Sequence, residues 1–221
     1  MQDIREGAAP APHMAGNSSA GYGSSLDDIE AIRSSIRKKY AEVSLSAGGK
    51  FSYPTGKLGA EMLRYDPDAI RQAPSGLLES FCGVGNPFSL GEIRPGATIL
   101  DFGCGAGFDL FIASRLVGAS GLACGVDLTR DMIDRAISNL DEAGITNYEA
   151  KQIDAEDMRY PDNFFDVVIS NGVINLSPFK LSCFREIYRV LKPGGRIQFA
   201  DVVLEHDLPD EMKDSPETWS Q

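Results

Sequence analysis

Thr98-Ile99-Leu100-Asp101-Phe102-Gly103-Cys104-Gly105-Ala106-Gly107 is the stretch that decides the fold. A short apolar run enters an acid, and three glycines follow at alternate positions. That order reads as a buried parallel strand turning sharply into a helix, here from Phe108 to Leu116. The unpaired N–H groups of the helix's first turn point back at the loop. Glycine admits positive φ and lets a ligand approach the backbone. A dinucleotide site asks for G-x-G-x-x-G, and Phe108 occupies the third glycine position of that pattern. The spacing is instead Gly103-x-Gly105-x-Gly107, with Asp101 two residues ahead. A carboxylate there repels a pyrophosphate and suits an ammonium group, such as that of the methionine part of S-adenosylmethionine.

Leu122-Ala123-Cys124-Gly125-Val126-Asp127 is a second apolar run ending in an acid. Asp127 lies 20 residues past Gly107, the distance at which an acid hydrogen-bonds ribose hydroxyls. It equally suits a capping role in a strand–helix loop. Thr129 reads as the N-cap of a helix running through Met132 to Leu140. A third strand tip, Gln152-Ile153-Asp154-Ala155-Glu156, offers a carboxylate to an adenine amino group. Phe164 to Ser170 is a fourth strand, ending at Asn171-Gly172-Val173-Ile174-Asn175. A helix from Ser177 or Pro178 to Leu191 follows, stopped by Lys192-Pro193-Gly194-Gly195, and Arg196 to Val203 forms a fifth strand. This alternation predicts an α/β fold: a Rossmann-like, doubly wound, mostly parallel sheet with right-handed crossovers. Ligands of such sheets bind outside the carboxyl ends of the strands, where all of these acids and glycines fall.

Upstream, residues 1–25 read as a disordered tail rich in Ala, Gly, Pro and Ser. Residues 26–95 read as a helix and loops covering the core, which spans 96–205, and 206–221 form a C-terminal tail. The helix runs from Leu26 to about Val43, with Ile29, Ile32, Ile36 and Tyr40 on one apolar face. A short helix from Asp66 or Pro67 to Gln72 separates two irregular loops, Lys50–Lys57 and Ser80–Pro87. Aromatic and basic residues in loops beside a rigid scaffold form binding walls.

The 221 residues carry a net charge of −11, a poor match to a nucleic-acid backbone or an anionic membrane. No stretch approaches the roughly 20 apolar residues of a membrane span, and the first residues lack a signal-peptide core. A cytoplasmic protein acting on a small molecule is expected. The four cysteines have no C-x-x-C spacing, and two histidines, His13 and His206, exclude a histidine-rich metal site.

The glycine stretch, Gly125-Val126-Asp127-Leu128-Thr129 and Arg189-Val190-Leu191-Lys192-Pro193-Gly194-Gly195-Arg196 resemble the motifs of class I S-adenosylmethionine methyltransferases. Tyr53-Pro54-Thr55-Gly56, Ser80-Phe81-Cys82-Gly83-Val84-Gly85-Asn86-Pro87 and Ile169-Ser170-Asn171-Gly172-Val173-Ile174-Asn175-Leu176-Ser177-Pro178 narrow the resemblance to arsenite methyltransferases. It covers roughly Ile36 to Val203. Two departures stand out. Such sheets usually finish with two more strands, for which no residues remain here. Arsenic-methylating members hold the metalloid with cysteine thiolates, two of them where this chain has Val84 and Gly172 and a third in a C-terminal part absent here.

Under this resemblance the cofactor is S-adenosyl-L-methionine. Asp101 and the backbone of Gly103, Cys104, Gly105 and Gly107 hold its methionine end. Asp127 and Leu128 meet the ribose, with Met132 packing nearby. Asp154 accepts from the adenine amino group, Ala155 offers its N–H to the ring, and Glu156 flanks it. Asn171 borders the methyl group or is a turn residue. Cys82 is a substrate ligand or a packed loop thiol, and no general base is evident beyond His206 in an acidic loop. The acceptor expected is a small soft nucleophile, a metalloid such as arsenite or a thiol. The alternatives are a carbon or oxygen methyltransferase, with Tyr40, Phe51 and Tyr53 lining an aromatic pocket, and a binding module without catalysis.

Overall fold

A computed structural model describes residues 26–153, 156–203 and 205; His13, His206, Asp154 and Ala155 lie outside them. The N-terminal segment begins with helix α1, Leu26–Val43, which buries Ile29, Ile32, Ile36 and Val43. Three short helices follow: α2 at Gly56–Met62, α3 at Pro67–Gln72 and α4 at Ser75–Glu79. Asp66 caps α3 by accepting from the Asp68 N–H at 2.8 Å, and Pro67 fixes its first turn. A 3-10 turn, Pro87–Leu90, closes the segment. The sequence reading missed α2 and α4, which are too short to carry a helical period.

The core then alternates: β1 Thr98–Phe102, α5 Phe108–Val117, β2 Leu122–Asp127, α6 Arg130–Glu142, β3 Tyr148–Gln152, β4 Phe165–Asn171, α7 Lys180–Val190 and β5 Leu191–Ala200. All pairings are parallel, in the order β3-β2-β1-β4-β5. β1 is the middle strand, with Leu100 level with Cys124 on one side and Val168 on the other. Apolar residues cover both faces, as a parallel sheet requires. One cluster packs Ile99, Ile169, Leu110 and Phe111 with Leu77 and Tyr65 of the N-terminal segment. The other packs Leu100, Val168 and Phe165 with Cys183 and Ile187 of α7. Each fully buried side chain of this size contributes about 1.5–3 kcal/mol.

Two boundaries differ from the sequence reading. α7 starts at Lys180, not at Ser177 or Pro178, because the Ser177 Oγ accepts from the Phe179 N–H at 2.9 Å and donates to Glu156 at 2.7 Å. β5 starts at Leu191 and ends at Ala200, short of Val203. Leu191 already pairs with Phe165, and the register then slips before Arg196 meets Val167. Lys192-Pro193-Gly194-Gly195 is therefore a bulge within an edge strand, with Gly194 left-handed at φ +80°. Asp201 turns back to accept from the Asn175 N–H at 3.0 Å, which ends the strand.

The loop between β1 and α5 carries Gly103 at φ +80° and Gly107 at φ +96°. A Cβ on Gly103 would stand 2.3 Å from Val173 Cγ2. Gly107 is the N-cap of α5, and a Cβ there would come within 3.2 Å of Ala136. Gly107→Ala is expected to lower stability by about 1–2 kcal/mol in chemical denaturation, the cost of a left-handed alanine. An unchanged midpoint would mean that the loop relaxes freely. Among the described residues no helix is long and apolar enough to cross a membrane.

Candidate functional site

At the carboxyl ends of β1, β2 and β4 lies an open cleft, roofed by α1 and the Ser80–Pro87 loop.

Asp101, at the tip of β1, is 2% exposed, and its Oδ2 has no hydrogen-bond partner. Burial pushes its carboxyl well above the usual range, and Asp109 and Asp127 add to the shift. A buried carboxylate with an unpaired oxygen is costly unless it is protonated or set against a cation.

Asp109 escaped the sequence reading. It lies in the first turn of α5 and is buried among Phe108, Leu110 and Phe111. Its Oδ1 accepts from the Tyr65 hydroxyl at 2.7 Å and its Oδ2 from Asn171 Nδ2 at 3.0 Å. Burial raises its pKa to about 6 against the pull of those two bonds. One signal was available: an acid in an otherwise apolar first turn.

Asp127 is a splint. Its Oδ2 accepts from the Gly105 N–H at 3.0 Å and its Oδ1 from the Thr129 N–H at 2.8 Å, which ties the glycine loop to the start of α6. Thr129 stands at the N-cap, but its side chain makes no capping bond to the helix. Leu128 and Met132 line the same corner, with Met132 Sδ 3.9 Å from where a Cβ on Gly105 would sit. Cys104 is buried in the core beneath the loop, whereas Gly107 packs against Ala136 and lines no part of the cleft.

Asn171, at the tip of β4, fastens the roof. Its Oδ1 accepts from the N–H groups of Val84 and Gly85 at 2.8 and 3.0 Å. Its Nδ2 reaches the Gly85 carbonyl, the Tyr65 hydroxyl and Asp109 within 3.0 Å. Cys82 is half-buried on the roof, and burial first, then Asp127, pushes its thiol up to about 12 against the pull of Lys39. A Cβ on Gly172 would stand 3.4 Å from both Cγ atoms of Val84, so these two positions face each other. Glu156 closes the mouth, receiving Arg33 Nη2 at 3.0 Å and the Ser177 hydroxyl at 2.7 Å.

Asp109 releases its proton later in the folded chain than in the unfolded one. The native state therefore holds the extra proton, and stability falls as pH rises from about 4 to about 6, by about 3 kcal/mol for this group. Asp166 and Glu186 are shifted down by Lys192 and Arg189, and their support is complete above about pH 5. A higher thermal midpoint is expected at about pH 5 than at about pH 7.5 for the free protein. The reverse order would remove the buried-acid account.

The sequence pattern of a family described as a methyltransferase domain matches residues 93–221. The chain belongs to that methyltransferase family. It is 36% identical to the arsenite methyltransferase of Halobacterium salinarum over 205 residues, 86% of this chain and 52% of that protein. It is 35% identical to the ubiquinone/menaquinone biosynthesis C-methyltransferase UbiE of Vibrio cholerae over 117 residues, 52% of this chain and 44% of that protein. The crystal structure of CrArsM, an arsenic(III) S-adenosylmethionine methyltransferase from Chlamydomonas reinhardtii, superposes with a TM-score of 0.56 at 34% identity, over 74% of this chain and 55% of that one. The chain spans about half the length of the curated relatives it matches, or less.

The family's cofactor is S-adenosylmethionine, and the cleft of this methyltransferase fits it. The orphaned Asp101 oxygen matches the ammonium, and Gly105 leaves open space beside Met132.

Proposed function

We propose that this methyltransferase moves a methyl group from S-adenosylmethionine to a small soft nucleophile, a thiol or a thiol-bound metalloid such as arsenite. Asp101 and the backbone of Gly103, Cys104 and Gly105 hold the cofactor's amino-acid end, and Gly107 turns the loop into α5. Asp127, Leu128 and Met132 take the ribose, Glu156 flanks the base, and Asn171 holds the roof over the reacting end. The bound cofactor supplies an electrophilic methyl. The chain supplies alignment for in-line displacement, worth about 7–11 kcal/mol at best.

One observation carries the reading. The acidic floor is matched by a roof that carries the protonated Cys82 thiol, with Gly172 beyond the tip of β4 lining the same cleft. A nucleophile with its own lone pair needs no strong base there. The likeness to arsenite methyltransferases favours a metalloid, while Val84 and Gly172 supply no thiolate for it. The acceptor must then arrive already bound to thiols of its own.

A second reading, carbon methylation of a small phenolic compound, draws on the likeness to UbiE. It also has the aromatic row Tyr40–Phe51–Tyr53, with centroids 6.3 and 5.2 Å apart. Transfer of a labelled methyl group to arsenite with glutathione, to glutathione alone and to phenols separates the two. Label found only on phenol carbon overturns the first reading. Cofactor binding with no transfer to any acceptor marks a binding module. Asp127→Ala is expected to weaken S-adenosylhomocysteine binding about 10- to 100-fold by calorimetry, the worth of a charged hydrogen bond. Unchanged affinity removes the ribose assignment.

A further inference from the structure

Asp101 and Asp109 are neighbouring carboxyls with opposite surroundings. Both oxygens of Asp109 receive hydrogen bonds, from Tyr65 and Asn171, while Asp101 Oδ2 receives none. Two close carboxylates in a dry site do not both ionise without a cation. Hydrogen bonds favour the ionised form, so the charge belongs on Asp109 and the proton on Asp101.

That arrangement leaves no donor of the cluster idle. The Tyr65 hydroxyl has one proton and two acceptors in reach, Asp109 Oδ1 at 2.7 Å and the Gly85 carbonyl at 3.0 Å. Asn171 Nδ2 has two protons to give. With Asp109 ionised, Tyr65 donates to Asp109, and Asn171 donates to Asp109 and to Gly85, so every proton and the Gly85 carbonyl are used.

The titratable groups facing the pair can be named by element. Asp127 reaches Asp101 from β2, and the Cys104 thiol reaches it from the glycine loop. Tyr65 of the N-terminal segment and the Cys82 thiol of the roof face Asp109. The cations of the cleft are engaged elsewhere. Arg33 pairs with Glu156 at the mouth, and Lys39 acts on Cys82.

We infer that Asp109 is a positioning residue for the cofactor: its charge, added to the burial of Asp101, keeps that carboxyl protonated in the free protein, so that Asp101 becomes a carboxylate only against a bound ammonium. One positive charge enters as the ammonium and one leaves as a proton to solvent. The site thereby selects ligands that carry the cofactor's amino-acid end, since a nucleoside thioether without it has nothing to exchange for the Asp101 proton. The inference rests on the proposed assignment of Asp101 to that end of the cofactor.

Calorimetric titration in buffers of low and high ionisation enthalpy counts the protons released. With S-adenosylhomocysteine, between about pH 6 and 8, the wild-type protein is expected to release close to one proton per ligand wherever Asp101 starts protonated. Affinity over that range should rise about tenfold per pH unit. Methylthioadenosine, which lacks the amino-acid end, should bind with no release. Asp109→Asn should move the release and the pH profile toward lower pH, because one of the like charges that add to burial in holding the Asp101 proton is gone. Lost packing alone would not change the proton count. The inference is overturned by zero release from the wild type across the range, by equal release with methylthioadenosine, or by a folded Asp109→Asn protein whose release follows the same pH profile as the wild type. If that variant does not fold, the contrast between the two ligands on the wild type decides. Absence of any S-adenosylhomocysteine binding takes down the cofactor assignment itself, a result distinct from binding without proton release.

Discussion

Asp101→Asn is expected to weaken S-adenosylhomocysteine binding by about 2–5 kcal/mol, roughly 30-fold or more, and at the same time to raise the melting temperature of the free protein at neutral pH. The two effects share one cause. The carboxyl is 2% exposed, its Oδ2 has no partner, and Asp109 and Asp127 surround it with like charge. Its folded pKa lies above the unfolded value, so the native state binds the proton more tightly and stability is lost as pH rises. An amide of the same shape carries no such charge and removes that loss. It also cannot pair with an ammonium. Calorimetry and thermal melts on the same preparation measure both. A variant that melts lower than the parent at neutral pH and binds as before would sink the account of Asp101 on both sides.

Asn171→Leu is the second large effect. Leucine keeps the branched shape but leaves the N–H groups of Val84 and Gly85 without their acceptor, while the Gly85 carbonyl keeps the Tyr65 hydroxyl. Unsatisfied buried groups cost about 1–3 kcal/mol each, so a loss of about 3–5 kcal/mol is expected in chemical denaturation. The fit is also close, since a Cβ on Gly83 would already stand 2.3 Å from Asn171 Nδ2. Hydrogen exchange gives the specific signature. The amides of Val84 and Gly85 should lose protection while those of β1 keep theirs, because the roof opens before the sheet does. Retained protection at Val84 would show that the loop holds itself.

The strands were legible where burial on both faces wrote a continuous apolar run, as in Ile99-Leu100 and Val167-Val168-Ile169. Acids at strand tips were legible for the same reason, since Asp101 and Asp127 interrupt such runs. What stayed hidden was what distant residues bring together. Asp109 acquires its meaning from Tyr65, 44 positions away, and from Asn171, 62 positions away. Asn171 read equally as a turn residue and as a neighbour of the methyl group. Its amide is in fact engaged by the roof, a contact across 87 positions that no local pattern encodes. Pro193-Gly194 looked like a helix stop because its chemistry is that of a break, and a bulge in an edge strand uses the same chemistry.

The order of the strands has a consequence for synthesis. β1 sits between β2 and β4, yet β4 leaves the ribosome more than 60 residues after it, so half of the central strand waits unpaired during translation. The roof waits longer still. Val84 is tied down only when Asn171 arrives, and Arg33 only when Glu156 arrives, 123 residues behind it. Those two ties of the roof thus form only after β1, β2 and β3 have all been made.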